Sequence, residues 1–137
     1  MSKQMPVLLE PQQARVAAQA LAGARLLIGV VALVSPAVAL KPWAGPEVAD
    51  QPGGRLIGRA LGARDLALGA GAILALRHEG PARGWIEAGG LADSGDAVAT
   101  MIAFGQLPRR TRWAVLATIL GAVGAAYVIA PSVDPAD

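Results

Sequence analysis

Residues 113–131, WAVLATILGAVGAAYVIAP, contain no charged side chain. Nineteen residues in an α-helix, at about 1.5 Å each, reach close to the ~30 Å thickness of a bilayer's hydrocarbon core. A run of this kind restricts the chain to folds in which a whole helix is sheathed in apolar surroundings. The rest of the sequence says where those surroundings come from. Of its 137 residues, 54% are hydrophobic and only 16% charged, mean hydropathy is +0.47, and Ala, Leu, Val and Gly carry the apolar mass. That composition points to a membrane. The net charge of +2 reflects a slight arginine excess on a weakly charged chain, so nucleic acid is not an expected partner. With no cysteine, disulfides, thiolate metal sites and cysteine nucleophiles are excluded.

A second uncharged run, LLIGVVALVSPAVAL (26–40), reaches spanning length by extending back through Arg25 to Leu21. Pro36 lies inside it as a kink, tolerated in lipid when a neighbouring helix satisfies the freed carbonyl. This run starts too far into the chain, without a short basic segment directly before it, to be a cleaved signal peptide. Between the two lie LIGRALGARDLALGAGAILAL (56–76) and WIEAGGLADSGDAVATMIAF (85–104), each of spanning length and each with charges near its centre. Breakers frame them: a Pro/Gly loop at 41–54, a polar turn at 77–83 and another at 106–110. The expected fold is therefore all-α, a four-helix transmembrane bundle with antiparallel neighbours. Its spans are about 21–40, 56–76, 85–105 and 113–131, flanked by a flexible start (1–13) and a short acidic tail (132–137). Trp43, Trp85, Trp113 and Tyr127 fall at or near span ends, as amphipathic rings at headgroup level do.

The internal charges can then be placed by depth. Arg64 and Asp65 lie near the middle of the second span, Asp93 and Asp96 near the middle of the third. Antiparallel registration puts Arg64 level with Asp96, and Arg25 between Glu87 and Asp93, with Arg59 as a third cation closer to the surface. An unpaired Arg or Asp at the bilayer centre costs about 2.5–3.5 kcal/mol on insertion scales. These side chains must face inward and pair. Gly58, Gly62, Asp65 and Gly69 recur at four, three and four residues, so Asp65 sits in a glycine stripe that admits another backbone. Asp93, Asp96 and Thr100 share a face, as do Ala22, Arg25 and Gly29. On the fourth span Ala117, Gly121 and Ala125 form a small-residue stripe, expected as the seam with the bundle in preference to a dimer contact.

Other motifs are weak. The glycines of GRALGARDLALGAG follow no strand and precede no phosphate-loop Lys-Ser/Thr. His78, the single histidine, reads as a surface residue of the turn; no metal site and no cofactor is expected. ALAGARLLIG (20–29) and RALGARDLAL (59–68) share an Ala-Leu…Gly-Ala-Arg core, too little in an alanine-rich chain to establish duplication.

Four short spans with GARDLALG (62–69) on the second and LADSGDA (91–97) on the third resemble a family of small four-helix bacterial membrane proteins known as a domain of unknown function. The resemblance covers about residues 15–130. It implies that the recurrent polar positions are Arg64, Asp65 and either Asp93 or Asp96, and it implies no activity.

Two functions fit these residues. The favoured one is an accessory, assembly or structural membrane component whose Arg/Asp pairs specify which helices pack together. The alternative is a membrane enzyme or carrier for a small lipophilic molecule. In it Asp93, Asp96 or Asp65 exchanges protons, with Arg25, Arg64, Arg59 and Glu87 binding or tuning. Either way the chain is expected in the cell membrane, multi-pass, with the lipid bilayer and a homo-oligomeric or other membrane-protein contact as partners. Lys41, Arg55, Arg109, Arg110 and Arg112 stand at one side against Lys3, Arg15, Arg77 and Arg83 at the other. The dense RRTR abutting the fourth span predicts that its loop is cytoplasmic and that both termini face outward.

Overall fold

The computed structural model describes residues 8–134, which contain helices and no strand. Four long helices carry the fold: α1 (Pro11–Val34), α4 (Pro52–Arg77), α5 (Arg83–Ala103) and α6 (Arg112–Val133). Two short ones, α2 (Pro36–Ala44) and α3 (Pro46–Ala49), lie between the first two, and a 3₁₀ turn (Phe104–Gln106) follows α5.

The stretch 41–54, expected as loop, is mostly helical. Its prolines were read as breakers, yet Pro36, Pro46 and Pro52 each open a helix, as Pro11 does. At the first helical position the missing N–H is not needed and the fixed φ suits the turn. The predicted first span, 21–40, is likewise split. Its helix begins ten residues earlier, at Pro11, and breaks at Ser35, whose φ of −131° and ψ of 66° are not helical. Between α2 and α3 the chain turns at Gly45, with φ 86°, a left-handed value that a side chain would strain. Residues 11–13 of the expected flexible start are the first turn of α1, while 1–7 lie outside the described residues. The other long helices lie within a few residues of the bounds expected for them as helices.

Neighbouring long helices run antiparallel. Gly29 of α1 meets Gly62 and Leu66 of α4, and Gly69 meets Ala22 and Leu26. In α5 and α6, Gly90 meets Ala126 while Ala82 meets Asp134. The closest approach is α1 against α4. A Cβ built on Gly62 would stand 2.9 Å from the Gly29 carbonyl oxygen, and one on Gly69 2.8 Å from that of Ala22. The predicted glycine stripe is thus a backbone-to-backbone seam.

Both ends of the bundle are tied by polar contacts. Arg15 donates from Nη2 to the Leu76 carbonyl (2.9 Å) and from Nη1 to that of Val133 (3.4 Å), satisfying C-terminal carbonyls of α4 and α6. Asp134 accepts from the backbone N–H groups of Ala82 and Arg83, both at 2.9 Å, and so caps α5 from across the chain. Of the expected acidic tail, residues 132 and 133 are therefore helical, Asp134 is folded back, and 135–137 lie outside the described residues. At the other end Thr111 Oγ1 donates to the Pro42 carbonyl at 2.5 Å, and Trp43 Nε1 to Thr100 Oγ1 at 2.9 Å. Trp43, expected at the headgroups, is half-buried against α5.

Between α4 and α5 the Gly80 N–H donates to the Ala75 carbonyl at 2.8 Å, closing a turn that holds Glu79 at φ 55°. A non-glycine residue pays about 1 kcal/mol or more for that conformation. Glu79→Gly is accordingly expected to raise thermal stability in detergent by up to about 1 kcal/mol, and a loss of stability would mean that the Glu79 side chain makes a compensating contact.

The interior is made mostly of small side chains, with Leu40, Leu76, Ile86, Ile129 and Val133 buried among them. Ala14, Ala18, Ala22, Ala32, Ala72 and Ala97 are all at most 5% exposed. Many other large aliphatic side chains point outward: Leu91 and Val34 are 75% exposed and Ile102 81%. On α6 the stripe expected to be the bundle seam is divided: Ala117 and Gly121 are exposed, with open space where a Gly121 Cβ would lie, while Ala125 is half-buried and packs against the core. α6 seats on its neighbours mainly through its C-terminal half, with Ala126, Ile129, Ala130 and Val133 buried. Among the described residues two helices, α1 and α6, are both long and apolar enough to cross a membrane.

Candidate ionic site

Arg25 is carried into the bundle by α1 on the face that also bears Ala18, Ala22 and Gly29. Those small residues let α4 and α5 close around its stem. Its side chain is 10% exposed. Nη1 donates to Asp65 Oδ1 at 3.0 Å, and Nη2 to Asp93 Oδ2 and, at 3.3 Å, to the Gly89 carbonyl. Gly89 matters locally, because a Cβ there would come 3.2 Å from the guanidinium. One arginine thereby joins α1 to both α4 and α5.

Arg64 completes the array from α4. It grips Asp96 of α5 with both terminal nitrogens, at 3.0 and 2.7 Å, the fork geometry that gives guanidinium–carboxylate pairs their strength. It also reaches its own neighbour, with Nε and Nη2 at 3.3 and 3.2 Å from Asp65 Oδ1. Asp65 Oδ1 therefore accepts from two arginines. The result is a continuous chain, Asp93–Arg25–Asp65–Arg64–Asp96, linking three helices. Its three carboxylates and two guanidiniums leave one negative charge in excess. The carboxylates are 12–17% exposed, Arg64 30%.

The antiparallel register brings Arg64 to Asp96 as expected, and Arg25, expected between Glu87 and Asp93, pairs with Asp93. Two of the expected members are elsewhere. Glu87 has the right depth but the wrong azimuth: it lies on the exposed side of α5 and pairs with Arg83 one turn away, at 2.6 Å. Arg59 is exposed and donates from Nε to the Leu33 carbonyl at 3.2 Å. That carbonyl sits in the last turn of α1, where the break at Ser35 and the missing N–H of Pro36 disturb the helical ladder. Arg59 thus serves the kink.

Sequence reasoning missed Arg15, Asp134 and the Trp43–Thr100 bond. Arg15 and Asp134 act through helix ends brought together only by the fold, so no local spacing announces them. The Arg59–Leu33 contact was accessible, because a last-turn carbonyl left open beside a kink and an arginine at matching depth on the adjacent antiparallel helix form a readable pair.

The chemistry open to this array is limited by space. Beside Arg25 there is a void of about 10 Å³, lined by Leu21, Ala22, Leu68 and Trp85, enough for one water at most. A larger groove of about 280 Å³, lined by Leu91, Val123 and Tyr127, runs on the outside between α5 and α6 and touches none of the five ionic residues. Set against protein-family models, curated proteins and solved structures, the chain matches none of them.

Proposed function

We propose that the chain is a small integral membrane protein of four spans, an accessory or structural component whose internal ionic chain specifies how its helices assemble. The observation that carries this reading is the distribution of side chains: the buried positions are mostly alanine, five ionic residues are drawn between the helices, and many of the leucines, isoleucines and valines face outward, although Leu40, Leu76, Ile86, Ile129 and Val133 are buried. In water that arrangement is unfavourable on both counts, since contiguous apolar surface is exposed and charge is withdrawn from solvent. In lipid it is the favourable one, because tails solvate the outer face and small residues let helices approach. α4 and α5 fit the same frame. Their 26 and 21 residues give about 39 and 32 Å of helix, and their central charges are turned toward one another.

The resemblance carried by GARDLALG and LADSGDA supports the same four-span reading and adds no activity. The competing reading, acid–base chemistry on a lipophilic molecule at Asp93, Asp96 or Asp65, needs a chamber beside those carboxylates. The one-water void beside Arg25 favours the structural reading at the inner end of the array.

Fractionation and fusions test the proposal together. The protein is expected to stay in the membrane pellet through alkaline carbonate extraction; release into the supernatant would refute it. With the 109–112 arginines held in the cytoplasm, an alkaline phosphatase fusion after Asp137 is expected to be active and a cytoplasm-dependent fluorescent fusion dark. The reverse pair of results would invert the topology.

A further inference from the structure

The ionic chain is not sealed. Its inner members are enclosed by α1, α4 and α5, but the Arg64–Asp96 end opens on the outer face between α4 and α5, where Arg64 is 30% exposed. On the four-span reading, on which this inference rests, that opening lies near the middle of the bilayer. There lipid tails offer a guanidinium and a carboxylate no hydrogen bonds.

The opening is set apart from the rest of the outer surface by its charge. Large side chains such as Leu27, Val34, Leu91 and Ile102 are exposed elsewhere, and so are small ones such as Ala117 and Gly121 on α6, but these lie beside no ion pair. Flanking Arg64 and Asp96 are alanines, Ala60 and Ala67 on α4 and Ala92 and Ala99 on α5, exposed or half-buried. Small side chains in such a setting admit another helix closely. The charge pattern then selects which one. A cation on one wall and an anion at the same depth on the other form a self-complementary pair. Rotation by a half-turn about an axis normal to the membrane sets α4 against the other copy's α5, and each Arg64 faces an Asp96 across the contact. A two-fold interface requires this property of a patch.

We infer that the α4–α5 face is a homodimer interface in the membrane, centred on Arg64 and Asp96 and closed by a second copy of this chain. The two bidentate pairs would then form a four-membered ionic ring shielded from lipid on both sides.

The natural absence of cysteine makes a direct test simple. Two differently tagged copies, one Ala60→Cys and the other Ala99→Cys, are co-expressed, and their membranes are washed with alkaline carbonate and treated with a short bis-maleimide. The expected result is a cross-linked species carrying both tags, with none from the matched pair in which both copies carry Ala117→Cys on α6. Cross-linking through Ala117 alone, or no cross-link at either place, overturns the inference while leaving the membrane reading intact. Loss of the protein in the carbonate wash overturns both. Subunit counting in vesicles gives an independent readout. Ala67→Trp is expected to weaken self-association by roughly tenfold or more, a clash of the usual size for overpacking a tight contact, and Ala117→Trp to leave it unchanged. Equal effects from the two tryptophans would place the contact elsewhere.

Discussion

Arg25→Leu is expected to be the most damaging single substitution in the interior, destabilising the folded protein in detergent by about 3–5 kcal/mol, the range for breaking a buried ion pair from one side. The substitution leaves Asp93, which touches no other guanidinium, without a counter-charge, and Asp65 with Arg64 alone. Removing the stranded partner as well separates the cost of an orphaned charge from the value of the pair. Arg25→Leu with Asp93→Leu is expected to recover most of the loss, giving a coupling of about 2 kcal/mol or more, within the range found for contacting residues. Arg64→Leu with Asp96→Leu should behave in the same way against either single change. The measurement is unfolding by SDS titration in mixed micelles. Additive effects along either cycle would mean that the pairs do not specify the packing.

The second large effect is steric. Alanine at Gly69 would place its Cβ 2.8 Å from both the Ala22 carbonyl oxygen and the Leu26 nitrogen. These are backbone atoms on the facing helix, so relief requires α1 and α4 to separate and opens the space around Arg25. Gly69→Ala is expected to cost about 1–3 kcal/mol, as overpacking of a tight contact does. At Gly121, where an added Cβ meets nothing within 4 Å, the same substitution should be neutral or stabilise by up to about 1 kcal/mol through helix propensity. Matched losses at the two positions would show that the α1–α4 seam is not where the structure has it.

Much of the fold was legible because two elementary constraints act on this sequence at once. Charges in an apolar chain must pair, and antiparallel helices of known rise fix the depths at which they can. Arg64 with Asp96 follows from that arithmetic, which leaves Arg25 between Glu87 and Asp93, and Asp65 follows from its place among Gly58, Gly62 and Gly69. Depth does not give azimuth, however. Glu87 lies six residues before Asp93 and nearly half-way around α5 from Asp96, so it faces outward and finds Arg83. The α6 stripe holds only at Ala125, which packs against the core, while Ala117 and Gly121 are exposed: their spacing marks a smooth face and does not say how far along it a neighbour reaches. In the 41–54 segment, proline was given one meaning, termination, when at Pro46 and Pro52 its other meaning, initiation, applied. Arg15 and Asp134 were beyond reach because their partners are backbone groups at the ends of distant helices.

The central claim is that α4 and α5, despite their charges, cross the membrane alongside α1 and α6. Single cysteines at Ala63 near the middle of α4 and Leu91 on the outer face of α5, both exposed in the isolated chain, test it most directly. Membranes are treated with a bulky, charged maleimide, with cysteines at Glu79 and Arg109 in the connecting turns as references. Protection of Ala63→Cys and Leu91→Cys from the reagent in intact and in opened vesicles, with Glu79→Cys and Arg109→Cys both labelled once the vesicles are opened, is the predicted result. Labelling at Ala63→Cys or Leu91→Cys as fast as at the turns would place α4 and α5 in water and contradict the four-span account.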